Sequence, residues 1–581
     1  MFSFRVFSRN LLIFLAFALI FTPVNNVCRA DSFPQDFILG VDVSELIAQE
    51  NSGARYLDAD GNEKDALEIL SAYGIDHIRL RVWNNPFDLR GRGYGGGNIN
   101  ADTAAILSAR AAALGMKTLL DFHYSDFWAD PSRQIVPKAW KGMSLEEKSE
   151  ALYAYTKDSL THVLEAGGNV DMVQVGNEIN FGMAGEYDPG NKAVLVAAGC
   201  RAVRDFASEN GLEIRTAVHL TDPEDPSQII ETLQSFIDAG ADFDAVGLSY
   251  YPYWHGSMHN LMDLIRSIRE DLGKEVFIAE TAWPFTPEDG DGAGNVIGQD
   301  PGTFPATPEG QAQAILAVSA AAANAGAEGI YYWGGIWTPI GTDYSTNLPL
   351  WEKYGSGWAS RYAHNYDPEH VSIETGGCAW DNQALFDFGG HPLPVLDLFR
   401  RIADGELTYD PETAIPAEEA KEELPAEETG GNENLVRNAD LEDEDRSMWE
   451  TVSFTGDIPF DYQKKANDAH SGKIAFHYWS AQDMDFAIEQ TLTGLPAGNY
   501  EASVWSQGGD MKNASLTLYV KADGQTYEAS FMNTKWADWQ HPVIPDIPVE
   551  QGTLTIGVHI VCGAKGWGTL DDFSVVPAPV F

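Results

Sequence analysis

Between residues 37 and 400, short apolar runs alternate with longer stretches of helical periodicity. The runs are 37–43, 75–83, 117–123, 171–178, 213–220, 243–250, 275–281 and 328–334, and the stretches between them include 101–114, 144–166 and 308–325. Eight apolar strands separated by helices predict a closed parallel (β/α)8 TIM barrel. An open doubly wound sheet would call for a Gly-x-Gly-x-x-Gly turn after its first strand, where this chain reads Gly40-Val41-Asp42-Val43-Ser44. The glycine-rich run Gly91–Gly97 follows the second strand, lacks a succeeding Lys-Ser/Thr pair and reads as a loop. After Leu435 the pattern becomes all-β. Runs at 473–479, 500–507, 515–522, 553–561 and 572–576, parted by Gly, Pro, Asn and Asp, predict a jelly-roll sandwich over 435–581. Residues 406–434 are acidic and broken by prolines such as Pro416 and Pro425. They cannot bury a core and read as an extended, self-repelling linker. The barrel domain is therefore placed at 31–405.

The first thirty residues stand apart. Arg5 and Arg9 precede an apolar run from Leu11 to Phe21, and Cys28-Arg29-Ala30 offers small residues at a cleavage site. This predicts a secretory signal peptide over 1–30, hence a secreted protein, and no span in the mature chain. Three cysteines then remain, Cys200, Cys378 and Cys562, too few for a disulfide framework, although a Cys200–Cys378 pair is conceivable. The chain has 37 Lys and Arg against 86 Asp and Glu, a formal charge of −49. That sign disfavours nucleic acid, anionic lipid and polyanionic substrates, and suits a neutral one. A monomer is expected.

The chemistry concentrates at the ends of the barrel strands, where parallel barrels carry their active sites. The run Val173-Gln174-Val175-Gly176-Asn177-Glu178 and the run Val276-Phe277-Ile278-Ala279-Glu280 each finish in a glutamate. Two opposed carboxylates are the machinery of glycoside hydrolysis, one protonating the leaving oxygen and the other attacking the sugar or activating water. Other strand ends supply groups able to grip a sugar: Asp42, Arg79 with Trp83, His123 with Asp126 and Trp128, Asn177, Tyr251 with Tyr253, and Trp333. Aromatic faces stack on sugar rings while Arg, His, Asn and Asp bond hydroxyls. Each also has a structural reading: Trp83, Tyr124 and Tyr253 as rim packing, Arg79 as a brace for a carboxylate, His123 as a buried bonded histidine.

Two further groups of residues stand out. Asp289-Gly290-Asp291-Gly292-Ala293-Gly294-Asn295 alternates oxygen-bearing side chains with glycine, which suits a hard cation such as calcium or, equally, a polar turn. It is not an EF-hand, since the twelfth-position Glu is missing. In the sandwich, Trp505, and Trp536 with Trp539, lie among hydrogen-bonding residues, as a sugar platform would, while some of the tryptophans there must be core.

These stretches together carry a resemblance. Gly40–Ser44, Arg79-Leu80-Arg81-Val82-Trp83-Asn84, Asp121–Pro131, Gly176-Asn177-Glu178, Gly247–Pro252, Glu280-Thr281 and Asp381–Phe388 resemble the arabinogalactan endo-β-1,4-galactanases, glycoside hydrolase family 53. The resemblance implies a retaining hydrolase of β-1,4-galactan and galacto-oligosaccharides, with Glu178 as acid/base and Glu280 as nucleophile. It also implies calcium at Asp289, Asp291 and Asn295, completed from Cys378–Asp381, with Cys378 and Ala293 offering carbonyls. The sandwich resembles galactan-binding modules of family 61. In related sandwiches a calcium lies near the termini, which makes Glu442 and Asp572 candidates. One departure is Tyr332-Trp333-Gly334-Gly335, where the family usually has Tyr-Trp-Glu-Pro, and it bears on the subsites near Trp333. The competing classes are a barrel hydrolase of mannan or xylan, and a non-catalytic carbohydrate-binding protein.

Overall fold

The computed structural model describes residues 31–409 and 434–577, apart from 373–375, 443–445, 447, 456–458, 466–467, 497, 510, 513, 537–538 and 550–551. The expected signal peptide and nearly all of the expected linker lie outside the described residues. The chain divides at Glu423/Leu424 into two units, each with its own apolar core.

The first unit is a closed barrel of eight parallel strands in sequential order. They are β1 (Ile38–Asp42), β2 (His77–Val82), β3 (Lys117–Phe122), β4 (Val170–Val175), β5 (Arg215–Leu220), β6 (Ala245–Ser249), β7 (Glu275–Thr281) and β8 (Gly329–Tyr332). A helix follows each: α1 (Ala66–Ala72), α2 (Ala101–Ala113), α3 (Leu145–Glu165), α4 (Pro189–Asn210), α5 (Pro226–Asp238), α6 (Met258–Leu272), α7 (Pro308–Ala325) and α8 (Pro394–Ala403). Their starts are written locally. Ser144 and Glu147 form a capping box on α3, and Asp188 caps α4 with Pro189 at its first turn.

Side chains alternate across each strand. The inward set fills the barrel floor with Ile38, Leu119, Met172, Ala217, Ala245, Phe277, Ala279 and Tyr331. Tyr331 lies over Gly40, where an added Cβ would come within 2.1 Å of its ring, so this glycine makes room for an interior aromatic. Above that floor the inward positions turn polar: Asp121, Gln174 and His219 lie two residues on from Leu119, Met172 and Ala217, Asp42 and Ser249 four on from Ile38 and Ala245, and Arg79 joins them from β2, all buried. The barrel thus has an apolar floor and a polar layer at the C-terminal mouth. No helix among the described residues is long and apolar enough to cross a membrane.

The second unit is a sandwich of two five-stranded antiparallel sheets. Its strands are β9 (Glu450–Thr455), β10 (Phe460–Lys464), β11 (Ile474–Trp479), β12 (Met484–Thr493), β13 (Gly498–Gly509), β14 (Ser515–Ala522), β15 (Gln525–Phe531), β16 (Val543–Val549), β17 (Thr553–Cys562) and β18 (Trp567–Pro577). The sheets run β9-β12-β17-β14-β15 and β10-β11-β18-β13-β16. Cys200, Cys378 and Cys562 are free and buried, so no Cys200–Cys378 bridge forms.

Candidate active site

The centre of the polar layer is Arg79, fully buried on β2. Its Nη1 pairs with Glu280 Oε1 at 2.8 Å and donates to Asp42 Oδ2 at 3.2 Å. Its Nη2 donates to Asp121 Oδ2 at 2.9 Å and Asn177 Oδ1 at 2.8 Å, and its Nε to Gln174 Oε1 at 3.3 Å. One guanidinium therefore neutralises and aligns residues from β1, β3, β4 and β7. Burial works to raise Asp121, but Arg79 and His123 outweigh it and hold the carboxyl below its ordinary value. The reading of Arg79 as a brace is the one the structure supports.

Glu178 and Glu280 both line the cleft, in unlike surroundings. β4 stops at Val175. Gly176 (φ 89°) and Glu178 (φ 46°) then take left-handed conformations that turn the acid into the barrel mouth. A non-glycine residue there carries strain, which the surrounding bonds hold. Asn177 Nδ2 donates to Ala129 O at 2.8 Å, and the buried Lys192 donates from Nζ to Ile179 O at 3.0 Å and also to Asn180 O. Glu178 Oε1 accepts one hydrogen bond, from Ser249 Oγ at 2.7 Å. Burial first, and the charge of Glu280 second, push its carboxyl well above the usual range. Glu280 reaches the cleft through a register irregularity between Ile278 and Glu280 on β7. Burial raises it as well, but Arg79 opposes that rise, and Tyr251 donates to Oε2 at 2.9 Å. Of the two, Glu178 is the group that keeps a proton and Glu280 the one poised to lose it.

The cleft between them has a volume of about 480 Å³. Trp128, Trp333, Trp337, Trp358, Trp380 and Trp254 wall it, beside Arg81, Asp130 and Arg133. Trp333 packs edge-on against Trp380 with ring centres 4.6 Å apart. The sequence-predicted Asn177, Tyr251, Trp128 and Trp333 all line this space. So does His123, yet its Nδ1 accepts from Ala129 N at 3.0 Å and its Nε2 faces Asp121 Oδ2 at 3.1 Å. Both ring nitrogens are used, so His123 positions Asp121 and leaves no nitrogen for a hydroxyl. Asp42 lies beneath the cleft, held by Ser44 and Arg79. Asp126 is not in the cleft at all. It accepts from the backbone of Asn85 and Lys138 and ties two loops together. Trp83 and Tyr124 are core. Sequence reasoning missed Gln174, His219 and Ser249 as positioning groups, and Trp358 and Trp380 as walls.

Asp289, Asp291 and Asp381 converge beside the barrel mouth, with one oxygen of each within 4.8 Å of the others. Asn295 Nδ2 donates to Asp381 Oδ1 at 2.9 Å, while the buried Asn295 Oδ1 has no partner. Backbone N–H groups of Ala293 and Cys378 donate to Asp291, which leaves those residues' carbonyls as their available oxygens. Burial and then neighbouring carboxylate charge push Asp381 up to about 8. Burial pushes Asp291 up to about 6. The Cys378 thiol is driven well above its ordinary value by burial, so no thiolate is presented.

In the sandwich, Trp505 stacks between His470 and His541, with ring centres 4.0 and 4.1 Å away. Both faces are covered, so Trp505 is no open platform for a sugar. Trp536 is half exposed, and its Nε1 donates to Asp468 Oδ1 at 2.7 Å. Glu442 Oε1 accepts from Ile474 N at 2.5 Å, and Asp572 from His470 Nδ1 at 2.6 Å and Ser471 Oγ at 2.7 Å. Neither enters a three-ligand group among the described residues.

A family model described as Glycosyl hydrolase family 53 matches residues 38–399. The chain is 44% identical over 387 residues to "Endo-beta-1,4-galactanase" of Bacillus subtilis (strain 168), covering 66% of this chain and 89% of that protein. It is 35% identical over 363 residues to "Arabinogalactan endo-beta-1,4-galactanase" of Cellvibrio japonicus (strain Ueda107), covering 60% and 90%. Among solved structures, the "Ignisphaera aggregans GH53 catalytic domain" superposes with a TM-score of 0.57 at 37% identity, covering 64% of this chain and 99% of that one.

Proposed function

The chain belongs to glycosyl hydrolase family 53 and is a glycoside hydrolase, and from that premise we propose that it is a secreted, retaining endo-hydrolase of β-1,4-galactan, the neutral side chain of pectic arabinogalactan. The supporting observation is the asymmetry of its two glutamates. Glu280 faces Arg79 and Tyr251, while Glu178 faces one serine hydroxyl and no cation. Glu178 gives its proton to the glycosidic oxygen as Glu280 attacks the anomeric carbon, forming a glycosyl ester and releasing the leaving sugar. Glu178, now a carboxylate, takes a proton from water, whose oxygen displaces Glu280 with a second inversion. The tryptophan walls supply stacking faces for sugar rings.

The names of the relatives support galactan as the substrate. Product analysis on galactan, xylan and mannan is the deciding experiment. Release of galacto-oligosaccharides with retained configuration is expected, whereas turnover confined to xylan or mannan would replace the substrate assignment. Asp289, Asp291, Asn295 and Asp381, with the carbonyls of Ala293 and Cys378, would hold calcium. Three crowded carboxyls and an orphaned amide oxygen make a hard-oxygen donor set that a divalent cation satisfies. The ion would tie the loop after β7 to the segment after β8 and so fix the cleft wall at Trp380. The sandwich would bind galactan with Trp536 as one stacking face, its ring oriented by Asp468.

A further inference from the structure

Ser249 ends β6 at a singular place. In the ladder it pairs with Glu280, and its hydroxyl reaches Glu178 Oε1 at 2.7 Å. Two residues on, Tyr251 holds Glu280 Oε2. Tyr251 lies just past the strand, so the end of β6 and the turn that follows it present one hydroxyl to each glutamate. Behind Ser249 lies His219, fully buried, with Nε2 2.9 Å from Ser249 Oγ. A serine hydroxyl has a single proton. For that proton to reach Glu178, Oγ must receive its other bond from a donor, and His219 Nε2 is the group in place to give it.

We propose that Ser249 and His219 form a positioning relay for the proton-donating glutamate. His219 Nε2–H donates to Ser249 Oγ, Ser249 donates to Glu178 Oε1, and the carboxyl proton is thereby confined to Oε2, the oxygen that must face the leaving group. The inference rests on the reading of Glu178 as the acid. In this tautomer His219 Nδ1 accepts from Gln174 Nε2 at 3.0 Å and faces the Glu178 backbone N–H at 3.4 Å, so the relay also grips the acid's own backbone. The opposite tautomer would send the Nδ1 proton to Asn177 Oδ1, 2.9 Å away, and turn the serine proton towards the imidazole. The first arrangement is the one compatible with a serine that donates to Glu178. Burial, and then the Arg79 charge, hold His219 well below its ordinary value. The ring therefore stays neutral, and the relay keeps its sense across the working pH range. Neither residue lines the cleft, so both are positioning residues.

The test is Ser249→Ala, with Glu178→Ala alongside, on two substrates. One is a galacto-oligosaccharide, whose sugar leaving group needs a proton. The other is a nitrophenyl β-galactobioside, whose leaving group departs without one. General acid catalysis contributes about 10²–10⁴-fold, and misorienting the acid forfeits part of it. The expected loss for Ser249→Ala in kcat/KM is about 10- to 100-fold on the oligosaccharide and under about threefold on the aryl substrate. Since the lost hydrogen bond favoured the carboxylate, the basic limb of kcat/KM moves to higher pH. Nitrogen NMR of His219 should show the proton on Nε2. Equal losses on both substrates, an unmoved basic limb, or a proton on Nδ1 would each overturn the relay. If Glu178→Ala itself fails to discriminate between the leaving groups, the acid assignment falls instead, so the two failures are distinguishable.

Discussion

Replacing Arg79 with methionine removes the one cation among Asp42, Asp121 and Glu280 while nearly keeping the volume. The side chain is fully buried and bonds five residues. Breaking a buried ion pair by deleting one partner costs about 3–5 kcal/mol, because the remaining charge stays desolvated. Adding the separate bonds would overcount, since the carboxyls respond by taking up protons. Against a total stability of about 5–15 kcal/mol the loss is large, and it should lower the Tm by roughly 5–15 °C. The sign with pH follows from the carboxyls. Without Arg79, the largest influence opposing burial is gone, and the folded-state pKa values of Asp121 and Glu280 rise. Stability from such groups is fully present below the unfolded pKa and is lost as pH rises through the folded one. The deficit of the variant should thus be small in acid and grow towards neutrality. In the proposed mechanism Glu280 acts ionised, so the acid limb of kcat/KM should move to higher pH, with a fall of at least about 10²-fold at the wild-type optimum. Arg79→Lys, which keeps the charge but not the fork, should fall between the two. Calorimetry across pH and pH–rate profiles of both variants check this. A methionine variant with wild-type Tm and an unmoved acid limb would refute the account of Arg79 as the neutralising hub.

Other outcomes are expected. Glu280→Ala should remain folded and inactive, and added azide should restore turnover to a glycosyl azide of inverted configuration, read by NMR; a retained product would reverse the roles of the two glutamates. Chelation should lower the Tm of the wild type, because a ligand bound only to the folded state stabilises it, while Asp289→Ala should melt at the lower temperature with or without calcium. An unchanged Tm with no metal in the purified protein would remove the site. A chain ending after Tyr409 keeps every residue of the barrel core, Leu407 and Tyr409 included, and should keep its rate on soluble galacto-oligosaccharides but lose rate on wall-bound galactan, since tethering raises local concentration without changing chemistry. Trp536→Ala in the full chain should weaken galactan binding by roughly 1–3 kcal/mol if ring stacking on sugars resembles base stacking in size, measured by calorimetry on an inactive Glu280→Ala background. Trp505→Ala should instead disturb the sandwich itself, because it removes the ring between His470 and His541.

The eight barrel strands were legible because each is a short run buried on both faces, and the observed bounds fall inside or at the expected runs apart from Val170, one residue before the fourth. The expected 171–178 strand overran its end because its last residues are an extension in sequence but a turn in space, made by Gly176 and Glu178 at positive φ. The sandwich was half legible. β16 carries Pro545 and Pro548, which argue against a strand, and it persists because it lies at a sheet edge where a missing donor is tolerated. β15 is also an edge strand, mostly exposed or half-buried, so it lacks the apolar alternation that marks a core strand.

The two strand-end glutamates stood out because a carboxylate at the end of an apolar run is costly unless it is paired or put to use. The groups that tune the pair were harder to see, although a signal was present. The floor of the barrel is marked by Leu119, Met172, Ala217 and Phe277, and two steps above the first three lie Asp121, Gln174 and His219. Ala245, four residues before Ser249, marks the same face of β6. A buried polar side chain at an even offset from the floor faces the mouth, and burial there demands a partner. Applying period two from the floor upward picks out Gln174, His219 and Ser249 as an inward polar layer before any contact is known. The rule fails on β7, where Phe277 and Ala279 keep the period and Glu280 breaks it. That break is the register irregularity which turns Glu280 inward, and it has no signature in residue types. His123 shows the converse error: its strand-end position suggested a sugar contact, but two protein partners consume its nitrogens. Composition and period locate the layer, whereas which of its members touch substrate depends on hydrogen-bond accounting that only the folded geometry supplies.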